Sequence, residues 1–332
     1  MSQVPEFVKY AAEFRKDFEK LADEIGKIIV GNREIIDGVL TSLFVGGHCL
    51  LEGVPGLGKT LLIRSLSEAL SLNFQRIQFT PDLMPADIVG TNMVVETPDG
   101  KREFQFQSGP IFANICLADE INRATPKTQS ALLEAMQEKS VTVGGTTHKL
   151  TEPFLVMATQ NPLEMEGTYP LPEAQLDRFL VKLIVHYASL EELMEILDRT
   201  TANVTPHADK VIDAKRILNW RKLVKQVVVA PHVKNFAARL ILSTHPQGEY
   251  AAPVTNQYVR YGSSPRGAQA LILVSKVKAL LDERFNISFD DIRAAAAPCL
   301  RHRMILNFEG EAEGISTDKV VEEILDSVPQ TV

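Results

Sequence analysis

Near the amino terminus, apolar residues recur at intervals of three and four positions along a charged segment. The series runs through Phe7, Ala11, Phe14, Phe18, Leu21 and Ile25. This spacing predicts a helix with a single apolar stripe. The stripe spans fewer than three heptads, which is short for a coiled coil, so we expect it to pack on its own domain. A break at Gly31-Asn32 precedes a second predicted helix over residues 33–45.

After residue 48 the pattern changes to short apolar runs that alternate with amphipathic stretches. The runs predict strands over 49–51, 74–79, 113–118, 154–159 and 181–185, and the stretches predict helices over 59–72 and 125–137. Such alternation is typical of an α/β fold in which helices cover both faces of a parallel sheet. The turns Pro98-Asp99-Gly100 and Gly144-Gly145 each predict a β-hairpin beside this sheet.

From residue 189 onward the pattern is helical. Ser189 and Glu192 have the spacing of a capping box, and Pro265 and Ser288 stand where two later helices, 264–281 and 291–303, are expected to begin. We therefore predict two domains: residues 1–188, comprising the amino-terminal helix and the α/β core, and residues 189–332, an all-helical domain.

Composition narrows the class of protein. The chain has 332 residues, and its 35 Lys and Arg against 42 Asp and Glu give a net charge of −7, which argues against nucleic acid as a partner. Its three cysteines form no C-x-x-C pair, so neither a disulfide framework nor a zinc site is indicated. We find no signal peptide and no apolar run long enough to span a membrane, and expect a cytoplasmic protein.

One glycine-rich segment has the spacing of a phosphate-binding loop, G-x-x-x-x-G-K-[ST]. It lies between a predicted buried strand and a predicted helix, and its residues are Gly53, Val54, Pro55, Gly56, Leu57, Gly58, Lys59 and Thr60, with Leu61 following. Glycines let successive backbone N–H groups turn toward a phosphate, and the helix N-terminus adds a partial positive charge. Lys59 is expected to contact the β- and γ-phosphates, and the Thr60 hydroxyl to ligate Mg²⁺.

A second predicted strand ends in two carboxylates, Asp119 and Glu120. By itself such a pair is equally typical of acids that cap the following helix, but behind a phosphate loop it has a chemical role. Asp119 is expected to position Mg²⁺, and Glu120 to deprotonate the attacking water. The second acid favours hydrolysis over simple nucleotide binding. The chain has no Asn-Lys-x-Asp segment for guanine, so we expect ATP as the nucleotide.

Three further stretches resemble the MoxR family of AAA+ ATPases. They are Gly-Pro-Ile-Phe-Ala-Asn at 109–114, Ala-Asp-Glu-Ile-Asn-Arg-Ala at 118–124 and Ala-Leu-Leu-Glu-Ala-Met-Gln-Glu at 131–138. The likeness extends over nearly the whole chain. It implies an αβα nucleotide-binding core followed by a helical lid, with ATP and Mg²⁺ as ligands.

The resemblance also implies roles for single residues. Asn161 matches the sensor-1 residue that holds the attacking water, and Arg178 matches an arginine finger that reaches the nucleotide of the neighbouring subunit. Arg266 matches sensor 2, which is expected to touch the γ-phosphate in cis. Val30 and Gly31 match the loop on the adenine side of the nucleotide, and Arg123 is a further candidate for a contact across the subunit interface.

At the level of the assembly, the resemblance implies a homo-oligomeric ring, with a hexamer expected, that performs chaperone-like remodelling or maturation of a partner. A von Willebrand factor type A protein or a client enzyme is the expected partner, and metal insertion is one form of such maturation. The two hairpins are expected to face the central channel. The aromatic-x-Gly pore loop of protein-unfolding relatives has no clear counterpart, which argues against processive threading.

Three alternatives stay open at this point. The chain could be the AAA+ subunit of a magnesium chelatase, a DNA-stimulated motor, or a nucleotide-gated binding protein that does not hydrolyse ATP. Other conspicuous residues have plainer interpretations. His48 and Trp220 are expected to pack in the core and the lid, and Arg301-His302-Arg303 is expected to form a solvated helix end.

Overall fold

The computed structural model describes residues 3–54, 56, 58–96, 98–162, 167–201 and 206–330. Its centre is a five-stranded parallel sheet, and helices, hairpins and a carboxy-terminal helical region surround it. This arrangement confirms the α/β architecture expected from the alternating pattern.

The elements follow the chain in this order. The amino-terminal half contains α1 (Gln3–Gly26), α2 (Arg33–Val45), β1 (Cys49–Glu52), α3 (Lys59–Leu70), β2 (Phe74–Gln78), α4 (Pro85–Val89), β3 (Gly90–Glu96), β4 (Arg102–Ser108), β5 (Ile115–Asp119), α5 (Pro126–Glu138), β6 (Ser140–Val143), β7 (Thr146–Lys149), β8 (Leu155–Gln160), α6 (Glu173–Leu176) and β9 (Val181–Ile184). The remainder contains α7 (Leu190–Thr201), α8 (Ala214–Gln226), α9 (Pro231–Ser243), α10 (Pro253–Tyr258), β10 (Val259–Tyr261), α11 (Pro265–Leu281), α12 (Phe289–Leu300), β11 (Ile305–Leu306), α13 (Phe308–Ala312) and α14 (Thr317–Ser327).

The strand order of the central sheet is β2-β5-β8-β1-β9. β5 is buried along its whole length and β8 along all but its last residue, because helices cover both faces; this is why their sequences read as continuous apolar runs. Each neighbouring pair is parallel, so all five strands end at the same edge of the sheet. The loops that follow β1, β5 and β8 therefore converge there, and the predicted phosphate loop, the acidic pair and Asn161 lie in or beside them.

The apolar stripe of α1 packs on its own domain, as expected, and also on helices of the carboxy-terminal region, which was not predicted. α1 contacts α2 and α3 of the core and α8 and α11 of the carboxy-terminal region. The ring of Phe14 lies 5.1 Å from that of Phe44 and 5.9 Å from that of Trp220, both in edge-on contacts that favour aromatic pairs. The amino-terminal helix thus joins the core to the carboxy-terminal helices.

The carboxy-terminal region is helical, with one difference from the prediction. β10 and β11 form a short antiparallel pair between helices. The expected capping box at the start of α7 is present, since the backbone N–H of Ser189 donates to Glu192 Oε2 at 2.8 Å. Among the described residues, no helix has the length and apolar character needed to cross a membrane.

Candidate active site at the carboxyl edge of the sheet

The phosphate loop connects the central strand β1 to the helix α3. Gly56 and Gly58 have φ values of 86° and 73°, in the left-handed region that glycine adopts without a steric penalty. Gly58 is the residue directly before α3, so the chain turns sharply into the helix at this position. The positive end of α3 therefore lies at the loop, where an anion would be stabilised. Pro55 and Leu57 of the predicted set lie outside the described residues.

Lys59 is folded back onto its own loop, where its Nζ donates to the carbonyl oxygen of Gly53. Burial lowers the pKa of Lys59, although the negative charges of Asp119, Glu120 and Glu52 oppose this shift. The ammonium group thus lies between the loop backbone and the acidic pair. A γ-phosphate placed at the loop would offer it a stronger, charged acceptor than a backbone carbonyl.

Asp119 and Glu120 lie at the end of β5, and one hydroxyl on β8 holds both of them. Thr159 Oγ1 donates to Asp119 Oδ1 at 2.6 Å and accepts from the backbone N–H of Glu120 at 2.8 Å. The chain turns immediately after the strand, because Glu120 is left-handed with φ 56°. Because of this turn, the side chains of Asp119 and Glu120 point in different directions. Thr159 was not among the predicted site residues, since nothing in the local sequence marks it.

Two side chains of the edge strand β2 also reach the acidic pair. Arg76 donates to Asp119 Oδ2 from Nη2 at 2.7 Å and from Nε at 3.1 Å. Gln78 donates from Nε2 to Glu120 Oε2 at 2.9 Å. Neither residue was predicted. The sequence does indicate that both lie on one face of a strand, because they are two positions apart.

Arg123 contacts the same carboxylate of its own chain. Its Nη1 donates to Glu120 Oε2 at 3.0 Å. From the sequence, Arg123 is a candidate for a contact between subunits. In the structure it helps to orient the acid that is predicted to act as the base.

Asn161 is buried and follows β8 at the same edge of the sheet. The residue before it, Gln160, pairs with Glu52, and its carbonyl accepts from the backbone N–H of Gly53 at 3.2 Å. Asn161 is therefore next to the start of the phosphate loop. Lys59, Asp119, Glu120 and Asn161 thus come together, which is the arrangement that hydrolysis of a nucleoside triphosphate requires.

Val30 and Gly31 lie beneath α7. The Glu192 side chain occupies the space beside Gly31, where a Cβ would lie only 1.9 Å from Glu192 Oε1. Arg199 of α7 donates from Nη1 to the carbonyls of Gly26 and Lys27 at 2.8 and 2.7 Å. A cavity lined by Val30, Gly31 and Arg199 opens between α7 and the end of α1.

Arg178 and Arg266 lie together, but at the opposite edge of the sheet. Arg178 precedes β9, and β9 runs parallel to β1 toward the phosphate-loop edge. The Nη1 of Arg178 donates to the Leu133 carbonyl at 2.6 Å. Arg266 lies 3.7 Å from Asp177 Oδ2, measured from Nη1, and lines the same cavity as Arg178. β9 has four residues, and a strand of this length spans about 13 Å, which is the approximate distance between the two edges of the sheet.

This placement differs from the cis contact expected for Arg266. The side chain lies with Arg178 and not with the loop that holds Lys59, because the start of α11 packs against the residues that precede β9. Within one subunit, neither guanidinium contacts the phosphate-loop residues that the structure describes, which exclude Pro55 and Leu57.

His48 lies on the wall of the same cavity and is a packed core residue, as expected. Its Nδ1 accepts from the backbone N–H of Val156 at 2.9 Å, and its Nε2 lies 3.2 Å from the Met136 carbonyl. These two partners fix a neutral ring that donates from Nε2. Burial lowers the pKa of His48 to about 4.

The two predicted hairpins, β3–β4 and β6–β7, are present and touch each other. The ring of Phe106 on β4 stacks on that of His148 on β7, with centroids 3.8 Å apart and planes inclined by 17°. On the same face of the first hairpin, Val94 and Phe104 form a cross-strand pair whose side chains are exposed, Phe104 by 79%.

Comparisons with known proteins agree with this geometry. Residues 48–181 match the model of an ATPase family associated with various cellular activities, and residues 251–324 match the model of an AAA lid domain. The solved structure of a Cytophaga hutchinsonii protein assigned as an ATPase superposes with a TM-score of 0.89 at 41% identity, covering 98% of both chains.

Curated relatives cover nearly the full chain. The uncharacterized protein YeaC of Bacillus subtilis is 43% identical over 93% of both chains. Chaperone MoxR1 of Mycobacterium tuberculosis is 40% identical over 93% of this chain and 81% of its own. Protein MoxR of Methylorubrum extorquens is 28% identical over 89% of both. The chain belongs to the MoxR family of AAA+ ATPases.

Proposed function

We propose that this ATPase works as a ring, in which each nucleotide is bound by one subunit and hydrolysed with the help of Arg178 from the next. The observation that carries the proposal is the separation of the site into two edges. Lys59, Glu120 and Asn161 lie where the strands end, and Arg178 and Arg266 lie where β9 begins. Within a subunit the sheet separates the two sets, whereas head-to-tail contact between subunits would bring them together.

Within the proposed site, each residue has one task. Lys59 and the backbone N–H groups of the loop bind the phosphates, and Asn161 orients the attacking water. Glu120, whose Oε2 is held by Gln78 and Arg123, accepts the proton of that water through its other carboxylate oxygen. Arg178 of the neighbour stabilises the charge that develops on the γ-phosphate oxygens, an effect worth about 10³- to 10⁵-fold in rate.

Magnesium suits the donor set at this edge. Asp119 is a carboxylate at a strand end, and Thr60 offers a hydroxyl at the start of α3; oxygen ligands of this kind are those that Mg²⁺ prefers. Together with the phosphate oxygens these two residues would hold the ion. When bound, the ion neutralises charge on the phosphates.

The surface of α7 supports the ring. This helix covers Val30 and Gly31, the residues proposed for the adenine side, yet its apolar residues Leu190, Leu193, Met194 and Leu197 are 48–70% exposed. An exposed apolar stripe of this kind marks a contact surface. In a ring it would lie toward the neighbour that supplies Arg178. We take six subunits as the count, following the family resemblance.

We further propose that hydrolysis drives chaperone-like maturation of a partner protein, with a von Willebrand factor type A protein or a client enzyme as the expected partner and metal insertion as one outcome. One relative is named Chaperone MoxR1. The exposed Val94–Phe104 pair provides an apolar contact surface for such a client.

The test of the ring is the concentration dependence of the ATPase rate. Specific activity should fall steeply when the protein is diluted below its assembly range, and the sedimentation coefficient should fall in the same range. A monomer that retains full specific activity would overturn the proposal. Arg178→Ala should give the low rate at all concentrations, with the affinity for Mg·ATP unchanged.

A further inference from the structure

Arg303, just after α12, grips the segment of chain that carries Arg178. Its side chain is 2% exposed. Nη1 donates to the carbonyl of Leu180 at 3.0 Å, and Nη2 donates to the carbonyls of Phe179 and Asp177. Nε donates to Asp177 Oδ1 at 2.9 Å. One guanidinium from the lid therefore binds the backbone on both sides of Arg178.

The two residues before Arg303 extend this contact. His302 Nε2 lies 3.0 Å from the Phe179 carbonyl, and Arg301 Nη1 donates to the Lys182 carbonyl at 3.2 Å. Burial and the nearby positive charge of Arg303 lower the pKa of His302 well below its usual range, so the ring is neutral and donates. The prediction of a solvated helix end was wrong, because these side chains are the hydrogen-bond donors for carbonyls at the start of β9.

Asp177, directly before Arg178, connects Arg303 to a second helix of the lid, α11. Its Oδ2 accepts from the hydroxyl of Ser264, the residue that caps α11, at 2.8 Å. The carboxylate thus joins α11 to Arg303. A buried ion pair is weak evidence for stability, since well-packed apolar residues often serve as well, but it fixes geometry strictly. The pair is therefore best explained by a need to hold this segment in one position.

We propose that Arg303 is a positioning residue for Arg178. Through Arg303, the lid of one subunit orients the arginine finger that this subunit contributes to the site of its neighbour. A movement of α12 would be transmitted to residues 177–180 by several hydrogen bonds and one ion pair. The inference rests on the proposed function, in which Arg178 acts in trans.

The experiment measures ATPase rates of Arg303→Gln alone and in an equimolar mixture with Glu120→Gln. Alone, Arg303→Gln should bind Mg·ATP within about twofold of the parent, since its own loop is intact, but kcat should fall by about 10- to 100-fold, because small misplacements of a catalytic group are costly. In mixed rings, Glu120→Gln subunits offer a well-aimed Arg178 to sites that still have Glu120. The mixture should recover about a quarter of the parent rate, since half the subunits hydrolyse and half of those receive a good finger.

Two controls separate the explanations. Arg293→Gln removes an arginine of α12 whose partners, the Leu325 carbonyl and Asp326, both lie within the lid, and should leave the rate unchanged. Arg178→Ala mixed with Glu120→Gln tests the trans finger itself. If Arg303→Gln does not fold, Asp177→Asn breaks the same ion pair from the other side and replaces it in every mixture.

The outcomes differ for each claim. Recovery in both mixtures supports the positioning role. Recovery with Arg178→Ala but not with Arg303→Gln overturns it, because the defect would then lie in the variant's own site or its stability. Failure in both mixtures overturns the trans finger and this inference with it.

Discussion

Arg76 and Asp119 form an ion pair across neighbouring strands, with Nη2 of the arginine 2.7 Å from Oδ2 of the carboxylate. The carboxylate that is expected to position Mg²⁺ is thus already paired with a cation of its own chain. A divalent ion that approaches Asp119 must share or displace this guanidinium. The pair therefore sets how strongly the site attracts magnesium.

We expect Arg76→Gln to lower the Mg²⁺ concentration that half-saturates ATP binding, by about 3- to 10-fold, because a competing positive charge is removed. Calorimetric titration of ATP at a series of Mg²⁺ concentrations measures this. Arg64→Gln is the matched control, since Arg64 pairs with Glu68 on the surface of α3. A higher Mg²⁺ requirement in Arg76→Gln would show that the arginine supports the ion instead of competing with it.

Thr159→Val should reduce kcat by about 10- to 100-fold, in the range found for residues that orient metal or catalytic ligands. The substitution keeps the shape of the side chain but removes the hydrogen bonds to Asp119 Oδ1 and to the backbone N–H of Glu120. Steady-state rates at saturating Mg·ATP measure the effect. Thr159→Ser keeps the hydroxyl and should stay close to the parent; an equal loss in both variants would argue that packing, not hydrogen bonding, matters here.

The free energy of unfolding should fall as the pH is lowered from about 6.5 to 4. His48 is buried and neutral with its pKa lowered to about 4, so the unfolded chain binds a proton in this window that the folded chain does not. The linkage gives a slope of about 1.4 kcal/mol per pH unit for such a histidine. Full stability is present above the unfolded pKa and is lost as the pH falls toward 4.

Denaturant titrations across this pH range provide the measurement. His48→Gln should reduce the slope by the contribution of one proton. The remaining slope includes His302, whose pKa is also lowered by burial. If His48→Gln kept the parent slope, His48 would have to be protonated in the folded state.

Phe106→Ala should loosen both hairpins, because the ring of Phe106 stacks on His148 and contacts Phe112 edge-on at 5.5 Å. Amide hydrogen exchange should become faster in β6–β7 as well as in β3–β4. The control is Phe104→Ala, which removes an exposed aromatic two residues away on the same face. Unchanged exchange in β6–β7 would mean that the hairpins move independently.

Features that depend on residues close together in the chain could be predicted from the sequence. The order of strands and helices followed from apolar periodicity, and the loop that contains Lys59 and the pair Asp119-Glu120 followed from spacing, because their chemistry depends on neighbours along the chain. The family resemblance added Asn161, which the structure places beside the loop.

Contacts between residues far apart in the chain could not be predicted from the sequence. Arg76 and Thr159 reach Asp119 only because β2, β5 and β8 are adjacent in the sheet, and this order is not written in any single segment. Arg303 was expected in solvent, since a run of cations ordinarily is, but backbone carbonyls that precede and begin β9 need donors from another element. Arg266 was expected beside its own phosphate loop, and the packing of α11 against Asp177 places it elsewhere.

The most direct test of the account is a calorimetric titration of Mg·ATP into the parent protein, Glu120→Gln and Lys59→Ala under identical conditions. The first two should bind ATP with similar affinity, and only the parent should release phosphate. Lys59→Ala should bind at least about tenfold more weakly, since a charged hydrogen bond to the phosphates is lost. Equal heats for the parent and Lys59→Ala would contradict the claim that this loop binds the triphosphate.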